Sequence, residues 1–177
     1  GVDNPVDISI PGVSADKIRP QIDGGGQIRQ VGGSFIVNPG RGATCNITVF
    51  AEVDGSRKNM GTVPFRIREV PDPTALVRGV SGRTVDKNDL ATSLVLEAKM
   101  PDWFDFDLTY NITSFTVLAT VGGVTRPAAS TSRLITDEQR RLFESLRPGG
   151  TVIITDIKAV GPTGNVRELN DVVYKIR

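Results

Sequence analysis

The residues best suited to chemistry lie in Asp102-Trp103-Phe104-Asp105-Phe106-Asp107, where three carboxylates fall within one short run. Oxygen ligands that close together could hold Ca²⁺, and two facing carboxylates could act as an acid/base pair. The spacing fits neither. An EF-hand loop begun at Asp102 requires Gly at its sixth position and Glu at its twelfth, and Asp107 and Thr113 stand there. Alternation instead puts Phe104, Phe106 and Leu108 on one face and Asp105 and Asp107 on the other, the pattern of a strand with a solvated acidic face. Trp103 reads first as a core residue, because large aromatics are buried on average. As an interface anchor instead, it would join Asp102, Asp105 and Asp107 in a candidate interaction surface.

Other chemistries fall away with the composition. The 177 residues contain no His and one Cys, which removes Ser-His-Asp and Cys-His catalysis, histidine metal ligation, an intrachain disulfide and a Cys-based zinc site. Gly24-Gly25-Gly26 lacks the Lys-Ser/Thr and the helix of a phosphate loop and reads as a hairpin turn. Gly149-Gly150 follows a predicted helix and so stops it rather than cradling an anion. Arg140-Arg141, flanked by Arg133 and Arg147, reads as a solvated helix face. The sequence therefore indicates no catalytic, cofactor-binding or metal-binding residue. With 21 Lys+Arg against 20 Asp+Glu and 6% aromatics, it has neither the basic patch nor the stacking platforms of a nucleic-acid binder.

Any interaction surface must be carried by β structure, because the dominant period is two. Val6, Ile8 and Ile10 alternate with polar residues, as do Ile18, Pro20 and Ile22. Cys45, Ile47, Val49, Ala51 and Val53 share one face, which places the lone thiol in a core; Val63, Phe65 and Ile67 repeat the pattern. Turn residues recur at Pro11-Gly12, Gly24-Gly25-Gly26, Gly32-Gly33, Asn38-Pro39-Gly40 and Asp54-Gly55. About six or seven short strands at that spacing suggest an immunoglobulin-like sandwich over residues 1–73. Pro71-Asp72-Pro73 then breaks the strand pattern and stiffens the connector.

Residues 74–177 read as a second, β-rich domain with one helix over about 136–147. Thr136-Asp137-Glu138-Gln139 fits a capping box, Leu142, Phe143 and Leu146 give a narrow apolar face, and Arg147-Pro148-Gly149-Gly150 ends the helix. Phe104 to Ile112 and Phe115 to Val121 have opposite parity, which predicts a bulge or a bend between sheets near Thr113-Ser114. Leu108 to Thr125 is uncharged but rich in Thr, Ser, Asn and Gly, and reads as β structure rather than a membrane helix. No signal peptide is visible, and the opening on Gly1 suggests an excised or processed piece.

The opening Gly1-Val2-Asp3-Asn4-Pro5-Val6-Asp7-Ile8-Ser9-Ile10-Pro11-Gly12-Val13-Ser14, the connector Phe65-Arg66-Ile67-Arg68-Glu69-Val70-Pro71-Asp72-Pro73, and the closing motifs carry a resemblance. The closing motifs are Arg147-Pro148-Gly149-Gly150, the run from Asp156 through Gly161-Pro162-Thr163-Gly164, and Tyr174-Lys175-Ile176. In order and spacing they resemble the C-terminal periplasmic region of the GldM/PorM family of the Bacteroidetes gliding-motility and type IX secretion apparatus. The resemblance implies a non-enzymatic, homodimeric periplasmic arm without cofactor. It implies anchoring through an N-terminal inner-membrane helix paired with GldL/PorL, absent from this chain. It also implies contact with the GldK/PorK and GldN/PorN ring at the outer membrane. Two β-rich domains on a proline connector would suit a semi-rigid spacer that transmits force.

Two other classes compete with this reading. An adhesin-like carbohydrate- or protein-binding sandwich would use Trp103, Tyr110 and Tyr174 as platforms, although both tyrosines share parity with core residues. An all-carboxylate enzyme would centre on Asp102, Asp105 and Asp107, and would need two of those carboxylates facing across a cleft.

Overall fold

Two-residue turns with positive φ at both positions set the registers of the first strands. Gly32 (φ 57°) and Gly33 (φ 93°) join β3 (Gln27–Val31) to β4 (Ser34–Asn38). Asp54 (φ 53°) and Gly55 (φ 71°) join β5 (Thr44–Val53) to β6 (Ser56–Arg66). That backbone twist matches the twist of the flanking strands, and glycine adopts it without a steric cost. The computed structural model describes residues 2–177, in which the chain divides into one compact unit ending at Val70 and another spanning Pro71–Arg177.

The first unit is built from two antiparallel three-stranded sheets. With β1 (Asn4–Val6) and β2 (Ile18–Ile22), the strand orders are β1-β4-β3 and β2-β5-β6. The turn at Gly24-Gly25-Gly26 is not the hairpin expected from sequence, because it carries the chain from β2 in one sheet to β3 in the other. It is tightly packed: a Cβ on Gly40 would lie 1.9 Å from the Gly24 carbonyl oxygen, so Gly40 must stay bare. Ile18, Phe35, Val37, Cys45, Ile47 and Ala51 are buried, and the thiol of Cys45 is in the core as its alternation indicates.

In the second unit β7 (Thr74–Val77) pairs with β9 (Leu96–Lys99). The larger sheet runs β11 (Val124–Ser130), β10 (Asn111–Val121), β12 (Thr151–Val160), β14 (Val172–Ile176), β8 (Thr84–Val85), with β13 (Val166–Glu168) paired to the far end of β12. All its pairs are antiparallel except β14 with β8. Register shifts between Ile112, Ser114 and Thr116 supply the bulge that the parity change predicts. Tyr110, one residue before β10, bridges to Ala98 of the smaller sheet, so the chain changes sheets there.

Helix α2 (Asp137–Glu144) carries the expected capping box: the Gln139 amide donates to Thr136 Oγ1 at 3.2 Å, and the Thr136 amide to Gln139 Oε1 at 2.9 Å. A second helix, α1 (Lys87–Thr92), packs against it and is not foreshadowed by the sequence pattern. Phe115, Val117, Ala119, Val152 and Ile154 on the inner sheet face meet Leu90, Leu142, Phe143 and Leu146 in one core. Leu108 to Thr125 is occupied mainly by strand β10, and no helix among the described residues is long and apolar enough to cross a membrane.

Candidate functional site

The acidic-aromatic run is not a strand. It lies in the irregular segment between β9 and β10, because Pro101 cannot donate to a ladder and β-pairing resumes only at Tyr110. Its alternation is real, but no neighbouring strand takes it up. The Phe104 amide donates to the Pro101 carbonyl at 2.9 Å, closing a turn, and Lys99 Nζ meets Asp102 at 2.9 Å. Asp105 and Asp107 are exposed, and among the described residues neither has a hydrogen-bond or ion-pair partner.

Trp103 corrects the core reading: its side chain is 69% exposed. The second unit's core is closed by other aromatics, with Phe115 and Phe143 almost fully inaccessible, and the indole is left on the surface. It stands edge-on to Phe104 at 6.1 Å between ring centroids, and Phe104 lies 5.3 Å from Phe106. The exposed Trp103 and Phe106, the half-buried Phe104 and the unpartnered carboxylates thus make one apolar-and-acidic surface patch. Among the described residues no group of three His, Cys, Asp or Glu side chains is placed to hold a metal ion. Tyr110 and Tyr174, the other aromatics considered as sugar platforms, are 8% and 3% exposed.

A second surface, in the first unit, is absent from the sequence reading. Every residue of β6 is exposed. Val63 lies opposite Ile47 and Phe65 opposite Cys45, so both face the interior side of the sheet as their alternation requires. Yet Val63 is 52% and Phe65 41% exposed, because β1 ends at Val6 and nothing in the opposite sheet covers them. Between β6 and the extended Val6–Ile10 stretch lies an apolar cleft of about 350 Å³, walled by Ile8, Ile10, Ile47, Met60, Val63 and Phe65. Its one charged wall residue, Asp7, accepts a hydrogen bond from the Ser34 hydroxyl at 3.2 Å.

The charge on β6 is of one sign: Arg57, Lys58 and Arg66, with no acidic residue. Arg57 lies 4.0 Å over the Phe50 ring, Lys58 is 3.9 Å from Asp54, and Arg66 has no partner among the described residues. The sequence does hold a signal for this surface. Pro64 together with clustered basic residues marks a strand that cannot sit inside a sheet.

A third exposed face belongs to the large sheet, where Pro127, Leu118, Ile153 and Val173 line up across four neighbouring strands on the side away from the core. Thr116, Thr120, Thr125, Thr151 and Thr155 surround that row, and Lys158 and Lys175 add positive charge to the same face.

Comparison with protein families covers both units in order. Residues 1–68 match the model described as the GldM third domain, and residues 71–177 match that of the GldM C-terminal domain. Among curated proteins, none matches the chain.

Proposed function

Because the chain belongs to the GldM family of gliding-motility and type IX secretion components, we propose that it is a non-enzymatic structural part of that machinery. In this reading it is the periplasmic arm of an inner-membrane-anchored homodimer. It contacts the outer-membrane-associated ring of GldK/PorK- and GldN/PorN-type proteins and passes force or conformational change to them, needing no cofactor. Pairing with a GldL/PorL-type partner belongs to the membrane-proximal part of the family's architecture. The observation that carries the reading is the unbroken order of the two family matches along the chain.

The chemistry of the surfaces supports recognition of protein. Exposed apolar side chains in the first unit's cleft and an exposed Trp103 are the kinds of surface that associate by burial. A net charge of +1 offers little to a polyanion. The decisive experiment is a pull-down of purified ring proteins on the folded chain. Retention of either ring component is expected, and failure of both to bind would remove the contact role and leave only a spacing or dimerising one.

A second reading, carbohydrate binding, draws on the exposure of Trp103, but burial of Tyr110 and Tyr174 leaves that platform alone. Trp103-dependent binding on a glycan array would favour it.

A further inference from the structure

We propose that Arg167 is a mechanical clamp: it ties the connector at Pro71-Asp72 to the large sheet of the second unit, so that tension arriving along the chain is borne by β13 and β12 before it reaches β7. Its use rests on the reading of the chain as a force-passing arm, whereas its geometry stands apart from that reading. Chain connectivity brings any load on the first unit to the second at Pro71, where the second unit begins. The next element is β7, four residues paired among the described residues only with β9, in a two-stranded sheet. Load entering at Thr74 would therefore fall first on one end of a short ladder, the Thr74–Lys99 pair.

Arg167 intercepts that path. Its Nη1 donates to the Asp72 carboxylate at 2.6 Å and to the Pro71 carbonyl oxygen at 3.2 Å, holding the side chain of one connector residue and the main chain of the other. Bonds from a charged guanidinium are the stronger kind, and the carbonyl bond acts on the backbone itself. The guanidinium also lies 5.3 Å over the ring of the buried Tyr110. That ring has its place because residue 161 is glycine: a Cβ there would come within 2.7 Å of Tyr110 Cε1. Arg167 itself belongs to β13 and lies opposite Ala159 of β12, which sits between β10 and β14 in the large sheet. The clamp thus moves load from the end of a two-stranded ladder to an interior strand. Lysine could not replace it, having neither the fork nor a planar face to stack. The side chains of Arg167 and Asp72 are 30% and 62% exposed, so the pair adds little to stability at equilibrium. Its loss should change resistance to pulling far more than resistance to denaturant.

Single-molecule force spectroscopy on the full chain, held by its two ends, tests this, with the second unit recognised by the longer of the two contour-length steps. Arg167→Met leaves an unbranched side chain and removes both bonds; at a fixed load it should speed unfolding of the second unit about 10-fold. Arg167→Lys should be nearly as fast, and Asp72→Asn slower than either because it keeps an acceptor. The denaturant midpoint of the 222 nm signal should scarcely move in any of them, which also shows each variant to be folded. Arg29→Met, which breaks the Arg29–Asp3 pair of the first unit, should leave the second unit's unfolding unchanged. Leu94 is 58% exposed and can take a tether. In a Leu94→Cys chain pulled between that residue and the C-terminus, tension bypasses the connector, and adding Arg167→Met should have no effect. An Arg167→Met chain that unfolds at the native rate under end-to-end load would overturn the clamp and leave the arm reading standing. Equal acceleration in both pulling geometries would overturn it as well, making Arg167 a general stabiliser. Failure of the ring proteins to bind would remove the arm reading and leave the clamp.

Discussion

Tyr174 fills the second unit's core with its ring and accepts the Val77 amide on its hydroxyl oxygen at 3.1 Å, joining β14 to β7. Removing that oxygen by Tyr174→Phe leaves a buried N–H without a partner, and should cost about 1–3 kcal/mol in a denaturant titration. Burial holds the phenol above its ordinary value, with the Val77 hydrogen bond pulling the other way. The folded chain therefore keeps this proton more tightly than the unfolded one. The corresponding stability is complete below the unfolded pKa of about 10 and is lost as pH rises beyond it, so Tyr174→Phe should also flatten the alkaline limb. Asp23 has the opposite sign. Its carboxylate accepts from the Asn46 amide and side chain, both at 2.7 Å, and those bonds hold its pKa below the ordinary value. That contribution is present above about pH 4 and is lost as pH falls through the depressed value, a loss that Asp23→Ala should remove from the acid limb. Cys45 was legible in the sequence because alternation fixes a side chain's face once its strand is paired. Trp103 was not, because average burial says nothing about whether a given core has room left for an indole.

At the scale of elements, the clearest sequence signals were those with a local mechanism. The Thr136–Gln139 capping box closes as written, and its Gln139 Nε2 goes further, donating to the Ala128 carbonyl at 3.0 Å in a fully buried site. Thr136→Ala should therefore cost about 1 kcal/mol, and Gln139→Leu more, because it strands the buried Ala128 carbonyl as well as the half-buried Thr136 amide. Thermal melts of the two variants would rank them, and equal costs would mean that the Ala128 bond adds nothing. Helix α1 escaped because six residues with one buried side chain, Leu90, carry too little periodicity to see. Its first residue is also preceded by an Asp86 that does not cap; the carboxylate takes two bonds from Arg177 instead. The parity change near Thr113 was visible because a bulge shifts every later side chain. For Phe104 to Leu108 the same alternation misled: period two reports an amphipathic extended segment, and only a neighbouring strand makes it a sheet. Val63 and Phe65 show the matching failure, since alternation gives the face a residue points to and not whether anything covers that face.

On the scale of the whole molecule, the two units differ in how much core they possess. Among the described residues the first buries six apolar side chains, and the second, about half as long again, buries several times as many. A unit of about 70 residues is near the size at which a single core is marginal, and this one leaves Val63, Phe65 and Met60 in water. It should therefore be the first to unfold. Cys45 is a native reporter of that event: burial, and then the nearby Asp23 charge, raises its thiol pKa and keeps it unreactive while the unit is folded. Both α-helices belong to the second unit, so the signal at 222 nm follows that unit instead. In a guanidinium series, Cys45 labelling should be complete before the 222 nm signal is lost, whereas coincident curves would mean that the two cores unfold as one.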